Sequence, residues 1–191
     1  MPVIPIIICS DSQEEQRKIA QRVAIDFSVV IEVKFNQLAE ILTQYPDATI
    51  VTSWLQPCAE LKEIIKLTSL NSTPLIVFIR KFNINTFNVL PDPEGYLLLP
   101  STVDCEFETW IGRAKQVRDN QIKLTQEIAD LEQKIMDKKW IDKAKGLLQK
   151  HHGLNENQAH DALRKAAMDN GLPMVKIARN LISTLQKTEQ Y

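Results

Sequence analysis

Short apolar runs alternate with stretches of helical periodicity over the first 112 residues, and this alternation restricts the fold more than any other feature. The apolar runs are VIPIIICS, SVVIEVK, ATIVTSW, TPLIVFIRK and GYLLLP. Amphipathic segments such as EEQRKIAQRVAIDF and CAELKEIIKLTSLN lie between them. Continuous apolar strands connected by helices are typical of a parallel sheet that is covered on both faces. The sequence therefore predicts an α/β doubly wound domain over residues 1–112.

Five strands in this order resemble the flavodoxin-like arrangement of response-regulator receiver domains. The phosphotransfer residues of receivers are missing, however. The acidic pair after the first strand is reduced to Asp11, and the phosphoryl-accepting aspartate is replaced by Ser53 or Trp54. The fourth strand ends in VFIRKF without a Ser or Thr, and Leu99 stands before Pro100 where receivers have lysine. The resemblance therefore implies a pseudo-receiver without a phosphorylation site, controlled by a partner protein or a ligand.

A lone carboxylate is a poor magnesium site, because magnesium needs several oxygen ligands. We therefore interpret Asp11 as the N-cap of the first helix and Trp54 as a core residue. The cysteines Cys9, Cys58 and Cys105 are scattered, which is typical of a reducing compartment and not of a disulfide framework or zinc ribbon. The apolar start MPVIPIIICSD lacks a basic n-region and a cleavage site, so we expect a cytoplasmic protein. We also expect that the protein has no cofactor.

Residues 113–137 contain no Gly or Pro, and their apolar residues continue a heptad that Ala114 begins. Two structures fit this pattern: a helix that folds back on its own domain, or a parallel coiled coil with a second chain. Gln121 in the seam favours the coiled coil, since a buried polar residue specifies register. The sequence predicts a coiled-coil linker and a homodimer. The predicted dimerisation residues are Val117, Gln121, Leu124, Ile128, Leu131 and Ile135.

Charge is distributed unevenly along the chain. Residues 1–112 carry 8 Lys and Arg against 14 Asp and Glu, whereas residues 138–187 carry 10 against 4. This asymmetry indicates a polyanionic partner for the C-terminal part alone. Caps predict three helices in residues 138–187 of a domain that spans residues 138–191. Gly153 and Gly171 follow helical patterns, Asn155 begins a capping box and Pro173 suits a first turn. Their predicted inward stripes include Ile141, Ala144, Leu148, Ala159, Ala162, Leu163, Ala166, Ala178 and Ile182.

All three histidines lie in HHGLNENQAH, at residues 151–160. Gly153 separates His151 and His152 from the helix that carries Glu156 and His160. Adjacent helical side chains diverge by about 100°, and the H-E-x-x-H spacing of zinc enzymes is absent. We interpret the histidines as packing and loop residues and expect no metal site.

The segment WIDKAKGLLQKHHGLNENQAHDALRKAAMDNGLPMVKIARNLI resembles the ANTAR domain family from residue 138 to about residue 185. The resemblance rests on the I-x-x-A-K run at residues 141–145, H-G-L at 152–154, ALRKAAM at 162–168 and KIA at 176–178. Gln149 departs from the family, which often has methionine there. ANTAR domains bind paired hairpin loops in nascent RNA and prevent a terminator from forming.

The layout of pseudo-receiver, coiled coil and ANTAR domain is similar to the amidase-operon type of antiterminator, which is silenced by a small-molecule-sensing protein. The resemblance implies a non-enzymatic, homodimeric RNA-binding transcription antitermination regulator that recognises hairpins in leader mRNA, with no membrane association. A DNA-binding regulator and a protein-interaction module without a nucleic-acid role are the alternatives. The residues expected to contact RNA are Lys143, Lys145, Arg164, Lys165, Met168, Lys176 and Arg179.

Overall fold

A computed structural model describes residues 4–81, 89–91, 94–102 and 106–188, with side chains up to residue 185. The chain divides into two compact units, Met1–Leu124 and Thr125–Tyr191. We call the first unit the body and the second unit the C-terminal module. One of the three cysteines, Cys105, lies outside the described residues.

The body contains a parallel five-stranded sheet with the strand order β2-β1-β3-β4-β5. This flavodoxin-like, doubly wound arrangement confirms the fold class predicted from the apolar runs. The strands are β1 (Ile6–Ser10), β2 (Val30–Val33), β3 (Thr49–Trp54), β4 (Leu75–Ile79) and β5 (Leu97–Pro100). Three helices before β5 are described: α1 (Gln13–Val23), α2 (Leu38–Gln44), which follows a 3-10 turn at Phe35–Gln37, and α3 (Ala59–Leu70).

Both faces of the sheet are buried, as a run of apolar residues without polar alternation requires. Successive residues of β1 point to opposite faces, so Ile7 packs with Ile50 in one cluster and Ile6 packs with Val51 in the other. Because the strands are parallel, their carboxyl ends lie at one edge of the sheet. Ser10 and Ser53 are register partners at this edge. Ligand sites of open α/β sheets lie at this edge.

Helix α4 runs without interruption for 46 residues, from Phe107 to His152. Its first turns belong to the body, because Phe107, Ile111 and Ala114 lie in the core cluster that also contains Ile6. Ala114 is thus a core residue of its own chain rather than the start of a dimer seam. Every residue from 122 to 136 is exposed.

The C-terminal module combines the end of α4 with α5 (Glu156–Asn170) and α6 (Met174–Thr188). Gly153 and Gly171 have φ angles of 64° and 62°, the left-handed conformation that ends a helix and that glycine adopts without strain. Asn155 and Gln158 form the predicted capping box. Ala162 is exposed, which corrects its predicted inward position. The buried cluster consists of Ala144, Leu148, Ala159, Leu163, Ala178 and Ile182.

In the part of the chain that the structure describes, no helix combines the length and the apolar character needed to cross a bilayer.

Candidate nucleic-acid interface

At the carboxyl edge of the sheet, a serine caps α1 and the neighbouring aspartate does not. The backbone N–H of Glu15 donates to the Ser12 hydroxyl, whereas the Asp11 carboxylate accepts a hydrogen bond from the Leu55 N–H at 2.8 Å. The prediction of Asp11 as the N-cap is therefore wrong. Asp11 also forms an ion pair with Arg80, which follows β4. The charge of the Asp11 carboxylate at this edge is thus already compensated by a guanidinium.

The two residues at the predicted phosphoryl-acceptor position have structural roles. Ser53 is buried, and its carbonyl accepts a hydrogen bond from the Ser10 hydroxyl at 2.6 Å. Trp54 is buried in the core cluster, in agreement with its interpretation as a core residue. Burial also raises the pKa of the Cys9 thiol to about 12, with a smaller contribution from the charge of Glu60. At neutral pH this thiol is therefore protonated and unreactive.

Metal binding is not favoured by the arrangement of acidic, thiol and imidazole groups. Within the described ranges, no three His, Cys, Asp or Glu side chains come together as metal ligands would. His151, His152 and His160 are all exposed.

The outer faces of the C-terminal module carry most of the residues predicted to contact RNA. Met168 is 73% exposed, which is high for a methionine and leaves its thioether open to an apolar partner. We define the basic surface as this residue and the exposed cations around the module. Its members are Lys143, Arg164, Lys165, Met168, Lys176 and Arg179.

Trp140 brings two of these cations together and was not predicted from the sequence. The Lys143 Nζ lies 5.9 Å and the Arg179 Cζ lies 5.5 Å from the centroid of the half-buried indole ring. Both distances are within the range of cation–π attraction. Arg179 is also held by Asp137, at 3.4 Å between Nη2 and Oδ1. The sequence signal was an aromatic residue three positions before Lys143, but the approach of Arg179 from α6 is visible only in the fold.

Lys145 differs from the other predicted RNA contacts. Its Nζ lies 2.8 Å from Asp142 and 3.0 Å from Glu156, and its side chain is only 16% exposed. The hydrogen bonds to Asp142 and then Glu156 raise the pKa of Lys145, and the Lys145 hydrogen bond lowers the pKa of Asp142. Lys145 thus connects α4 to the start of α5, which is a stabilising role within the module.

The predicted dimerisation residues divide into two groups. Val117 and Gln121 are partly buried. Further along α4, the four apolar positions of the heptad are each more than half exposed, as Leu131 illustrates with 57%. We define the exposed seam as these four positions, Leu124, Ile128, Leu131 and Ile135.

Comparison with known proteins places a family match in the C-terminal part. Residues 129–182 match the ANTAR domain family, which confirms the resemblance found in the sequence. The nitrate regulatory protein of Klebsiella oxytoca is 43% identical over 60 residues, which are 31% of this chain and 15% of that protein. The aliphatic amidase regulator of Pseudomonas aeruginosa is 35% identical over 69 residues, 36% of this chain and 35% of that protein.

A third relative is the transcriptional regulatory protein PdtaR of Mycobacterium tuberculosis. It is 37% identical over 59 residues, which are 31% of this chain and 29% of that protein. The chain therefore covers between 15% and 35% of the length of these three relatives. All three are regulatory proteins by name, and none is named as an enzyme.

Proposed function

We propose that this chain is a cytoplasmic RNA-binding transcription antitermination regulator that binds hairpin loops in nascent leader mRNA and prevents a terminator from forming. The match of residues 129–182 to the ANTAR domain family is the observation that carries the proposal. The names of the relatives, which are regulators of nitrate and amidase systems and a transcriptional regulator, support a role in gene regulation. In this proposal the RNA-binding part is residues 138–191.

The cations of the basic surface hold the phosphate backbone of the hairpin. Arg164 and Lys165 are exposed on α5, and Lys176 is exposed on α6. Each lysine or arginine that neutralises a phosphate releases condensed counterions, so these contacts provide affinity that falls with salt. Lys145 contributes to this surface mainly by fixing α4 against α5, through the contact with Glu156.

Loop bases are recognised by stacking and apolar contact. Single-stranded loops expose unstacked bases that pack on aromatic side chains and on guanidinium planes. Trp140 supplies an aromatic ring between Lys143 and Arg179, and Met168 supplies an exposed apolar side chain. These two residues provide the base contacts in the proposal, whereas the neighbouring cations provide the phosphate contacts.

A homodimer presents two C-terminal modules to two hairpins. The exposed seam supports this part of the proposal, because four large apolar residues at heptad spacing are otherwise left in water. In this proposal residues 113–137 form the linker of a parallel coiled coil, with the polar Gln121 near its start.

The body, residues 1–112, acts as a pseudo-receiver that is controlled by a small-molecule-sensing protein and not by phosphorylation. The Asp11–Arg80 ion pair supports this, because a guanidinium occupies the carboxylate after β1, and the described residues form no cluster of metal ligands. The buried Ser53 has no carboxylate with which to form an acyl phosphate.

A binding assay with the full chain tests the proposal. We expect a leader hairpin RNA to bind more tightly than the same stem with a scrambled loop and more tightly than duplex DNA of equal length. Arg164→Ala is expected to weaken hairpin binding, whereas Lys123→Ala, on the exposed part of α4 outside the basic surface, serves as the matched control. Preference for duplex DNA would favour a DNA-binding regulator, and affinity that ignores the loop sequence would favour a protein-interaction module.

A further inference from the structure

Arg118 is a buried cation without a carboxylate partner in the described chain. The residue is only 4% exposed although it carries a guanidinium group. Its Nη2 donates to the carbonyl of Thr68 at the end of α3, and its Nε is buried without a hydrogen-bond acceptor. A neutral carbonyl compensates the positive charge only in part, and a buried unpaired donor is costly. Burial also lowers the pKa of Arg118, as expected for a charge removed from water.

A cavity of about 470 Å³ in the body is lined by Arg118. Its size lies within the range of sites for small organic molecules. Ile65, Pro91 and Tyr96 contribute apolar wall, and the Tyr96 hydroxyl donates to the Pro91 carbonyl at 2.6 Å, which fixes that side of the cavity. The cavity therefore offers an occupant both the charged Arg118 and an apolar wall.

The described residues of the cavity lining carry a net positive charge. Lys62 and Lys66 lie one turn apart on α3 and line the cavity together with Arg118. Glu94 is the one acidic residue among the described residues of this lining. Among the described lining residues, three cations stand against one anion, which favours a negatively charged occupant.

Gly95 allows the guanidinium to lie at this wall. A Cβ atom at this position would lie 2.7 Å from Nη1 of Arg118, so any larger side chain would displace the guanidinium. The planar guanidinium is suited to paired hydrogen bonds with a carboxylate or a phosphate.

We propose that this cavity binds a small organic oxyanion, a carboxylate or phosphate with an apolar body, which pairs with Arg118 beside Lys62 and Lys66. The site lies within the body and outside the matched residues 129–182, so it goes beyond the proposed RNA binding. Arg118 is also part of α4, the helix that carries the exposed seam. Occupation of the cavity therefore stabilises the part of the body from which this helix extends.

Calorimetric titration of the full chain with benzoate and with phenyl phosphate tests the proposal, with sodium chloride at matched ionic strength as the reference. The two probes distinguish a carboxylate ligand from a phosphate ligand, and neither involves RNA. We expect saturable binding of at least one probe and a rise in melting temperature that sodium chloride does not produce. Arg118→Gln is expected to weaken binding by about tenfold or more, since a charge-assisted hydrogen bond is lost.

Four further variants complete the experiment. Lys62→Gln and Lys66→Gln are each expected to weaken binding by about threefold, since these cations act from the cavity rim. Gly95→Ala keeps every charge but displaces the Arg118 guanidinium, and is also expected to weaken binding. Lys123→Gln, an exposed change on the same helix, should leave binding unaltered.

Absence of saturable binding of both probes to the unmodified chain would overturn the proposal. Unaltered binding by a folded Arg118→Gln variant would also overturn it. If Arg118→Gln does not fold, the double variant Lys62→Gln/Lys66→Gln decides the question, because these side chains lie on the outer face of α3. Its binding must then be weaker than that of the unmodified chain for the proposal to stand.

Discussion

The Asp11 carboxylate forms an ion pair with the Arg80 guanidinium, and the two side chains are only 26% and 20% exposed. The other carboxylate oxygen accepts a hydrogen bond from the Leu55 N–H. The Asp11 side chain, which follows β1, therefore binds both Leu55 after β3 and Arg80 after β4. Removal of the carboxylate would leave both a guanidinium and a backbone donor without their partner.

Asp11→Ala is therefore expected to lower the free energy of unfolding by about 1–3 kcal/mol, the usual cost of unsatisfied, partly buried donors. Urea denaturation followed by circular dichroism measures this change. Glu14→Ala is the control, because it removes an exposed ion pair with Lys18 and should have little effect on stability. Equal stability of both variants would mean that the Asp11–Arg80 pair does not stabilise the body.

The same carboxyl edge leads to a prediction about phosphorylation. Incubation with acetyl phosphate and magnesium should produce no phosphoryl adduct by intact-mass spectrometry, because Ser53 stands at the acceptor position and Asp11 is paired with Arg80. A receiver domain with an intact acidic pocket provides the positive control. A mass increase that is lost at alkaline pH, as acyl phosphates are, would refute the pseudo-receiver interpretation.

The sequence was sufficient to predict the sheet and the helix boundaries of the C-terminal module at Gly153, Asn155 and Gly171, because these depend on local patterns. Apolar runs without alternation identify strands that are buried on both faces, and Gly153 and Gly171 occupy the left-handed positions that end α4 and α5. Asn155 caps α5 as predicted, since its capping box is also a local interaction. Each of these features is determined by residues close together in the chain.

Other features depend on partners that are distant in the chain. Ser12 and Asp11 are adjacent and both can cap a helix, and the choice depends on Leu55 and Arg80, which the fold brings to Asp11. A heptad pattern does not distinguish an apolar residue that faces a second chain from one that faces its own domain. It therefore predicts a seam position for Ala114, which the body buries.

Dimerisation through the exposed seam leads to a third prediction. Leu131→Lys should convert the dimer to a monomer, because it replaces a 57% exposed leucine of the seam with a charge that would face its symmetric copy. Size-exclusion chromatography with light scattering measures the mass. Gln133→Lys adds the same charge at an exposed position on the outer side of the heptad and should leave the dimer intact. A dimeric mass for Leu131→Lys would exclude the seam as the interface.

Trp140, with Lys143 and Arg179 beside its ring, leads to a fourth prediction, on the two kinds of RNA contact. Trp140→Ala should weaken hairpin binding by about tenfold, since stacking of one base contributes about 1–3 kcal/mol. Its salt dependence should stay close to that of the unmodified chain. Arg164→Ala should instead reduce the slope of log affinity against log salt by about one. Trp140→Phe keeps an aromatic face and should restore most of the affinity, whereas Trp140→Leu keeps only an apolar side chain for packing and should not restore it.

Lys145→Gln should lower the stability of the C-terminal module and leave hairpin affinity nearly unchanged, because Lys145 is occupied by Asp142 and Glu156. The lowered pKa of Asp142 means that its contribution is present above the ordinary value of 3.8 and is lost as pH falls through the lowered one. The raised pKa of Lys145 means that its contribution is complete below 10.5 and is lost only above it. The melting temperatures of the unmodified chain and of Lys145→Gln should therefore differ by a constant amount between about pH 5 and 9. This difference should shrink in stronger acid. Lys165→Gln, an exposed member of the basic surface, is the matched control, with weaker RNA binding and unchanged stability. A stability difference that changes between about pH 5 and 9 would show that groups other than this pair are responsible.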